Sequence, residues 1–141
     1  MAKALEAEVY NVLTADKAAG SLYSSVGGRI SAAYGDPGDK LPLIVFEQTG
    51  SSLTHLFGGA IMYRDQYQIR VQSRWEDGVA ELAEIADIVV GLFNGTTSAS
   101  APTNFDRAEF QVDSATDIDR ADEILTATVG ITVIATQTAG L

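Results

Sequence analysis

The chain has 141 residues, 46% of them hydrophobic, with 9 basic against 19 acidic side chains, a formal net charge of −10 and no cysteine. Such a length and apolar fraction suit one domain with a continuous core, and the lack of cysteine removes disulfides and thiolate zinc sites from consideration. The acidity opposes tight binding to nucleic acid or anionic membrane, and no run reaches the roughly 20 apolar residues that span a bilayer.

In chain order, Leu5, Val9, Val12 and Leu13 at helical spacing predict an amphipathic helix over 3–19, with Gly20 as its stop. The first twenty residues lack the uninterrupted apolar stretch of a signal peptide, so the protein is expected to be soluble and to remain where it is made. Val26-Gly27-Gly28-Arg29-Ile30 reads as a tight turn into a short extended piece, and the breakers of 34–40 as a loop. Leu43-Ile44-Val45-Phe46 predicts a strand over 41–49 that can be buried on both faces, with Pro42 tolerated near its start. The Ser- and Gly-rich segment 50–59 is expected to be a mobile hairpin loop.

The run 61–75 carries the clearest signal. Ile61, Tyr63, Tyr67, Ile69, Val71 and Trp75 fall on one face of a strand, interrupted only by Asp65 and Ser73, while Arg64, Gln66, Gln68, Arg70, Gln72 and Arg74 fall on the other. Fully extended, such a strand spans about 50 Å, longer than the roughly 37 Å width of a globule of this size, so the strand must bend or project. The period then changes to 3.6: Val79, Leu82, Ala83, Ala86, Val89, Val90 and Phe93 form one stripe of a second helix. Ser73 with Glu76, or Asp77 with Glu81, are candidate caps for its start, and Asn94-Gly95 for its end. After a loop at 96–104 come a strand over 107–112, an acidic connection with Asp113, Asp117, Asp119, Asp122 and Glu123, and an alternating strand over 124–136. Helix, strands, helix, strands is an α+β order: a single domain over 1–141 with a largely antiparallel sheet, two helices on one face, and a projecting hairpin around 43–75.

Catalytic and metal-binding patterns are weak. His55 is the one histidine; Ser51, Ser52 and the many aspartates allow a triad on residue count, but no G-x-S-x-G elbow is present. The acidic connection fails the EF-hand template, because Arg120 stands at its fourth position and Asp122 where glycine is required. Gly27-Gly28 and Gly58-Gly59 lack the spacing of phosphate loops. No cofactor, metal site or catalytic residue is expected. Arg64, Arg70 and Arg74 share one strand face and are candidates for salt bridges between subunits, an ordinary solvated face being the equal alternative. Leu53, His55, Leu56 and Phe57 are candidates for a partner contact, on a loop expected to order only when the partner supplies the other wall.

The order of segments resembles the tail terminator (tail-completion) proteins of long-tailed bacteriophages. The resemblance rests on the first helix with Tyr10, Leu13, Ala15 and Asp16, on Val26-Gly27-Gly28-Arg29-Ile30, and on Leu41-Pro42-Leu43-Ile44-Val45-Phe46. It continues through Tyr67 to Arg74, the helix containing Ile85-Ala86-Asp87, and Gly130-Ile131-Thr132-Val133. It implies a non-enzymatic virion subunit, assembled in the host cytoplasm into a ring, usually a hexamer, at the head-proximal end of the tail. Its partners would be the tail tube protein and a neck or head-completion protein, with DNA passing through without specific binding. The segments 96–104 and 113–123 have no counterpart in the resemblance. A head-completion ring protein, a small carboxylate-dependent hydrolase and a single-strand nucleic-acid-binding module are the competing readings.

Overall fold

The computed structural model describes residues 2–15, 26, 29–32, 42–97, 105–115, 118–121 and 123–137. Their elements are α1 (Ala2–Thr14), β1 (Ile30–Ala32), β2 (Leu43–His55), β3 (Ile61–Arg74), α2 (Val79–Phe93), β4 (Glu109–Ala115), β5 (Asp119–Ala121) and β6 (Ile124–Gln137). The sheet runs β1-β2-β3-β6-β4, with β5 also paired to β6; only the β1–β2 pairing is parallel. This is the expected α+β architecture.

The alternation of β3 is realised as a two-sided strand. Tyr67, Ile69 and Val71 are buried on one face, and Arg64, Gln66 and Gln68 are exposed on the other. Pairing with β6 runs in register from Ile61↔Gln137 to Arg74↔Ile124, so Leu125, Ala127, Val129, Ile131, Val133 and Ala135 extend the same apolar face. Leu5, Val9 and Leu13 of α1 and Leu82, Ile85, Val89 and Phe93 of α2 pack on that face in one core. Each such side chain contributes about 1.5–3 kcal/mol when fully removed from water. The apolar start of β2 is buried on both faces as its continuous run implies: Ile44 and Phe46 join the core, while Leu43 and Val45 are buried on the other side.

Several boundaries differ from expectation. The first helix ends at Thr14, with Ala15 in a bend; 16–20, including the expected stop Gly20, lie outside the described residues, as do Gly27, Gly28, 34–40 and 98–104. The expected mobile loop at 50–59 is mostly strand: β2 continues to His55 and pairs with β3 as far as His55↔Ile61. Its backbone groups are claimed by β3, whose own length demands a partner. The turn is only 56–60, closed by the Leu56 N–H donating to the Ala60 carbonyl at 2.8 Å, with Gly58 and Gly59 at φ of 76° and 81°, a region that glycine adopts without strain. The acidic connection is also strand. Asp113 lies in β4 and Asp119 in β5, two pieces of one edge line running antiparallel to β6; Asp117 and Asp122 lie outside the described residues.

Neither predicted cap starts α2. Gly78, at φ 86°, precedes its first residue with no side-chain hydrogen bond, and Trp75–Asp77 form a 3-10 turn closed by the Gly78 N–H to the Trp75 carbonyl at 3.1 Å. At the other end Asn94 closes the helix as expected, its N–H donating to the Val90 carbonyl at 3.0 Å.

Both polar interruptions of β3's apolar face are buried, Asp65 at 2% and Ser73 at 0% exposure. Asp65 accepts a hydrogen bond from the Ser51 hydroxyl at 2.7 Å, whereas the Ser73 hydroxyl meets no partner among the described residues. A buried hydroxyl without a partner costs stability, and alanine keeps nearly the same shape. Ser73→Ala is therefore expected to raise unfolding stability by about 1 kcal/mol, seen as a higher denaturant midpoint at unchanged slope.

Candidate assembly surfaces

The residues singled out by sequence lie on two parts of the sheet that the helices leave uncovered. Arg64, Arg70 and Arg74 stand on the outer face of β3, turned away from the core. Two of them have partners within the chain: Arg70 pairs with Glu47 at 3.2 Å and Arg74 with Glu76 at 3.3 Å. Both pairs are solvent-accessible, so each is worth under about 1 kcal/mol. Arg64 is exposed and makes no ion pair among the described residues. Across the same face run Thr126, Thr128, Gly130, Thr132, Ile134 and Thr136 of β6, then Glu109 and Gln111 of β4. The Asp113 carboxylate turns to this face as well, accepting hydrogen bonds from the Thr132 hydroxyl and from Gln111 Nε2. The outer face is thus polar and graded in sign, basic along β3 and acidic along β4 and β5.

Leu53, Leu56 and Phe57 gather at the turn between β2 and β3, with Leu53 at 54% and Phe57 at 104% relative exposure. A phenylalanine held fully in solvent by an ordered glycine turn costs the isolated chain and contributes nothing to its core. His55 is exposed beside them, opposite Ile61. The Ser-His-Asp possibility does not assemble: Ser51 bonds directly to Asp65, and His55 is four residues further along the strand, about 13 Å away.

A second apolar group occupies the opposite end of the β3–β6 axis, and the sequence reading missed it. Trp75, Val79 and Ile124 are each more than a third exposed. Trp75 and Ile124 line a surface pocket of about 490 Å³ with Arg74, Glu76, Arg120 and Glu123, and the Arg120 guanidinium stacks 3.8 Å above the indole centroid. The alternation predicts Trp75 on the strand's apolar face; the chain instead leaves the strand at that residue, which lifts the indole out of the core. The signal available in advance was the change of period after it. Among the described residues no cluster of three or more metal-ligating side chains occurs, and no helix is long and apolar enough to cross a membrane.

Two buried groups have altered acidity. Burial raises Glu8 above its ordinary value of 4.5, opposed by a hydrogen bond with Asn11. The Tyr67 phenol is raised by burial first and then by the charges of Asp65 and Glu6, and its hydroxyl has no partner among the described residues. Glu8 and Asn11 line a groove between α1 and α2 with Leu92 and Thr96.

No family model matches the chain, and no curated protein matches it. Among solved structures, its fold is similar to that of a chain from a structure described as "Virion of native gene transfer agent (GTA) particle", with a TM-score of 0.68 and 17% identity over 96% of this chain and 96% of that one. At this identity the likeness is one of fold.

The position of Glu8 leads to a pH dependence. Because its folded-state value is raised, the folded state holds the proton more tightly than the unfolded chain, so this contribution is complete below pH 4.5 and is lost as pH rises through the folded-state value. Glu8→Gln removes that loss. Its melting temperature is expected to exceed that of the parent at neutral pH and to match it at pH 4 or below, in parallel thermal scans.

Proposed function

We propose that this chain is a structural protein of a phage-like virion, a tail terminator subunit that forms a closed ring at the head-proximal end of the tail and presents the surface to which the head is joined. The observation that carries this reading is the likeness of fold to a chain of a gene transfer agent virion over 96% of both chains. The segment order that resembles tail terminators supports the finer assignment, and so does the distribution of uncovered surface. The apolar groups at the two ends of the β3–β6 axis suit a subunit with different neighbours above and below, here the tail tube on one side and a neck protein on the other. The ring is taken to be a hexamer, as the resemblance implies. The acidic balance fits a wall past which DNA moves, since neutralising many phosphates would hold the duplex in place.

Deleting the gene in the producing strain is expected to leave separate heads and tails in lysates, with joined particles restored by expression in trans. In wild-type particles, antibody labelling in the electron microscope should fall at the junction, on the tail side. Label on isolated heads would favour the head-completion alternative, and absence of the protein from purified particles would defeat the virion reading itself. Because Phe57 makes no contribution to the core, Phe57→Asp should leave the thermal midpoint within a degree or two, as surface substitutions do. The same variant is expected to lower incorporation into particles at least tenfold, measured by immunoblot of purified virions.

A further inference from the structure

The sheet ends on both sides in backbone that has no partner strand among the described residues. Among the described residues the outer edge of β2 is covered only by β1, from Ile44 to Phe46, which leaves it without a partner strand from Glu47 to His55. On the far side β4 is covered only at its start, where Thr97 bridges Glu109 and the Phe110 N–H donates to the Thr96 carbonyl at 2.8 Å. From Gln111 to Ala115 its outer edge has no partner strand among the described residues. Natural sheets usually guard such edges with charge, proline or a bulge, because unpaired N–H and C=O groups recruit another strand. β2 has one irregularity, a register shift between Gln48 and Gly50, and after it Ser51 to His55 contain no proline, lysine or carboxylate.

These two edges run in opposite directions and overlap in height. Ser52 is level with Arg64, Arg64 with Ile134, and Ile134 with Glu109, while Glu47, Gln68, Gly130 and Ser114 form a second row. The stretch of β2 from Glu47 to Gly50 therefore lies level with the stretch of β4 from Gln111 to Ser114 across the width of the sheet, whereas Ser52 is level with Glu109, which Thr97 already bridges. Successive antiparallel pairings make β2 and β4 run in opposite directions, so two copies side by side in the same orientation would join them as an antiparallel pair. The joint would place Glu109 and Asp113 of the second copy two strand spacings, about 10 Å, from the β3 arginines of the first, the same spacing at which the first copy's own Glu109 and Asp113 stand across β6.

We infer that the β2 edge of one copy pairs with the β4 edge of the next, head to tail, making one sheet continuous from subunit to subunit. The inference rests on the ring reading above and names the surface that closes the ring. Because the two edges differ, each joined pair still exposes one of each, and growth stops only when the circle closes.

The absence of native cysteine permits a direct test. Ser52→Cys is combined in turn with Glu109→Cys, Gln111→Cys or Ser114→Cys, three positions that allow for stagger at the joint. Within one copy these pairs are separated by three strand spacings, about 14 Å, beyond the ~7 Å limit for a disulfide, so any bridge joins two copies. Mild oxidation of concentrated protein and of purified particles should give a ladder of covalent oligomers from at least one double variant on non-reducing gels. Single variants should stop at dimers, and Ser52→Cys with Ala80→Cys, on the helix layer, should give no ladder. Rings visible by electron microscopy in all three double variants without a ladder would overturn the edge pairing and leave the ring reading standing. A chain that is monomeric in solution and absent from particles would overturn both.

Discussion

The unbroken antiparallel ladder between β3 and β6 is the constraint on which the rest of this molecule depends. Fourteen residues of each strand pair in register, from the turn at Ile61 to the 3-10 turn at Trp75. Since side chains alternate along both strands, this ladder creates one apolar face and one polar face at once. α1 and α2 cover the first, and no element among those described is required to cover the second. β2 and β4 add to the two sides of the ladder, and the uncovered apolar groups, at the β2–β3 turn and around Trp75, lie at its two ends.

The polar face is where the acidity of the chain acquires a pattern. Net charge alone says that the surface repels phosphate, but not where. The strand order places Arg64, Arg70 and Arg74 on a central strand and Glu109, Asp113 and Asp119 along one edge, so that the molecule is polarised across the sheet. These basic residues thus lie on a central strand and the acidic ones along one edge, and among the described residues parts of both sheet edges have no partner strand. The ion pairs inside the chain, Arg70 with Glu47 and Arg74 with Glu76, are solvent-accessible and therefore weak.

The elements that strong periodicity marked were found in the structure at nearly the expected positions: β3, β6 and α2 differ from the expected bounds by a residue or two. The failures have a common form. Gly50 to His55 is poor in strand-forming residues and reads as a loop, yet β3 holds it extended because the backbone of 61–66 needs a partner. Asp113 and Asp119 look like a solvated connection, yet they sit on an edge strand, where charge on the outward face is tolerated and useful. Of the candidate surfaces, the arginine face and the Leu53–Leu56–Phe57 group were legible, whereas the Trp75–Arg120 pocket was not. Trp75 and Arg120 are 45 positions apart in the chain and meet only because β5 pairs with the start of β6.

The sequence by itself determined which faces are apolar, where the helices lie and that the surface is acidic, because these follow from side-chain period and composition, which act locally. The tertiary structure alone decided strand order, the extension of β2, and which stretches of β2 and β4 stand level across the sheet. Those depend on register between segments far apart in the chain, and register is set by how alternating faces and backbone hydrogen bonds are satisfied together once the strands meet.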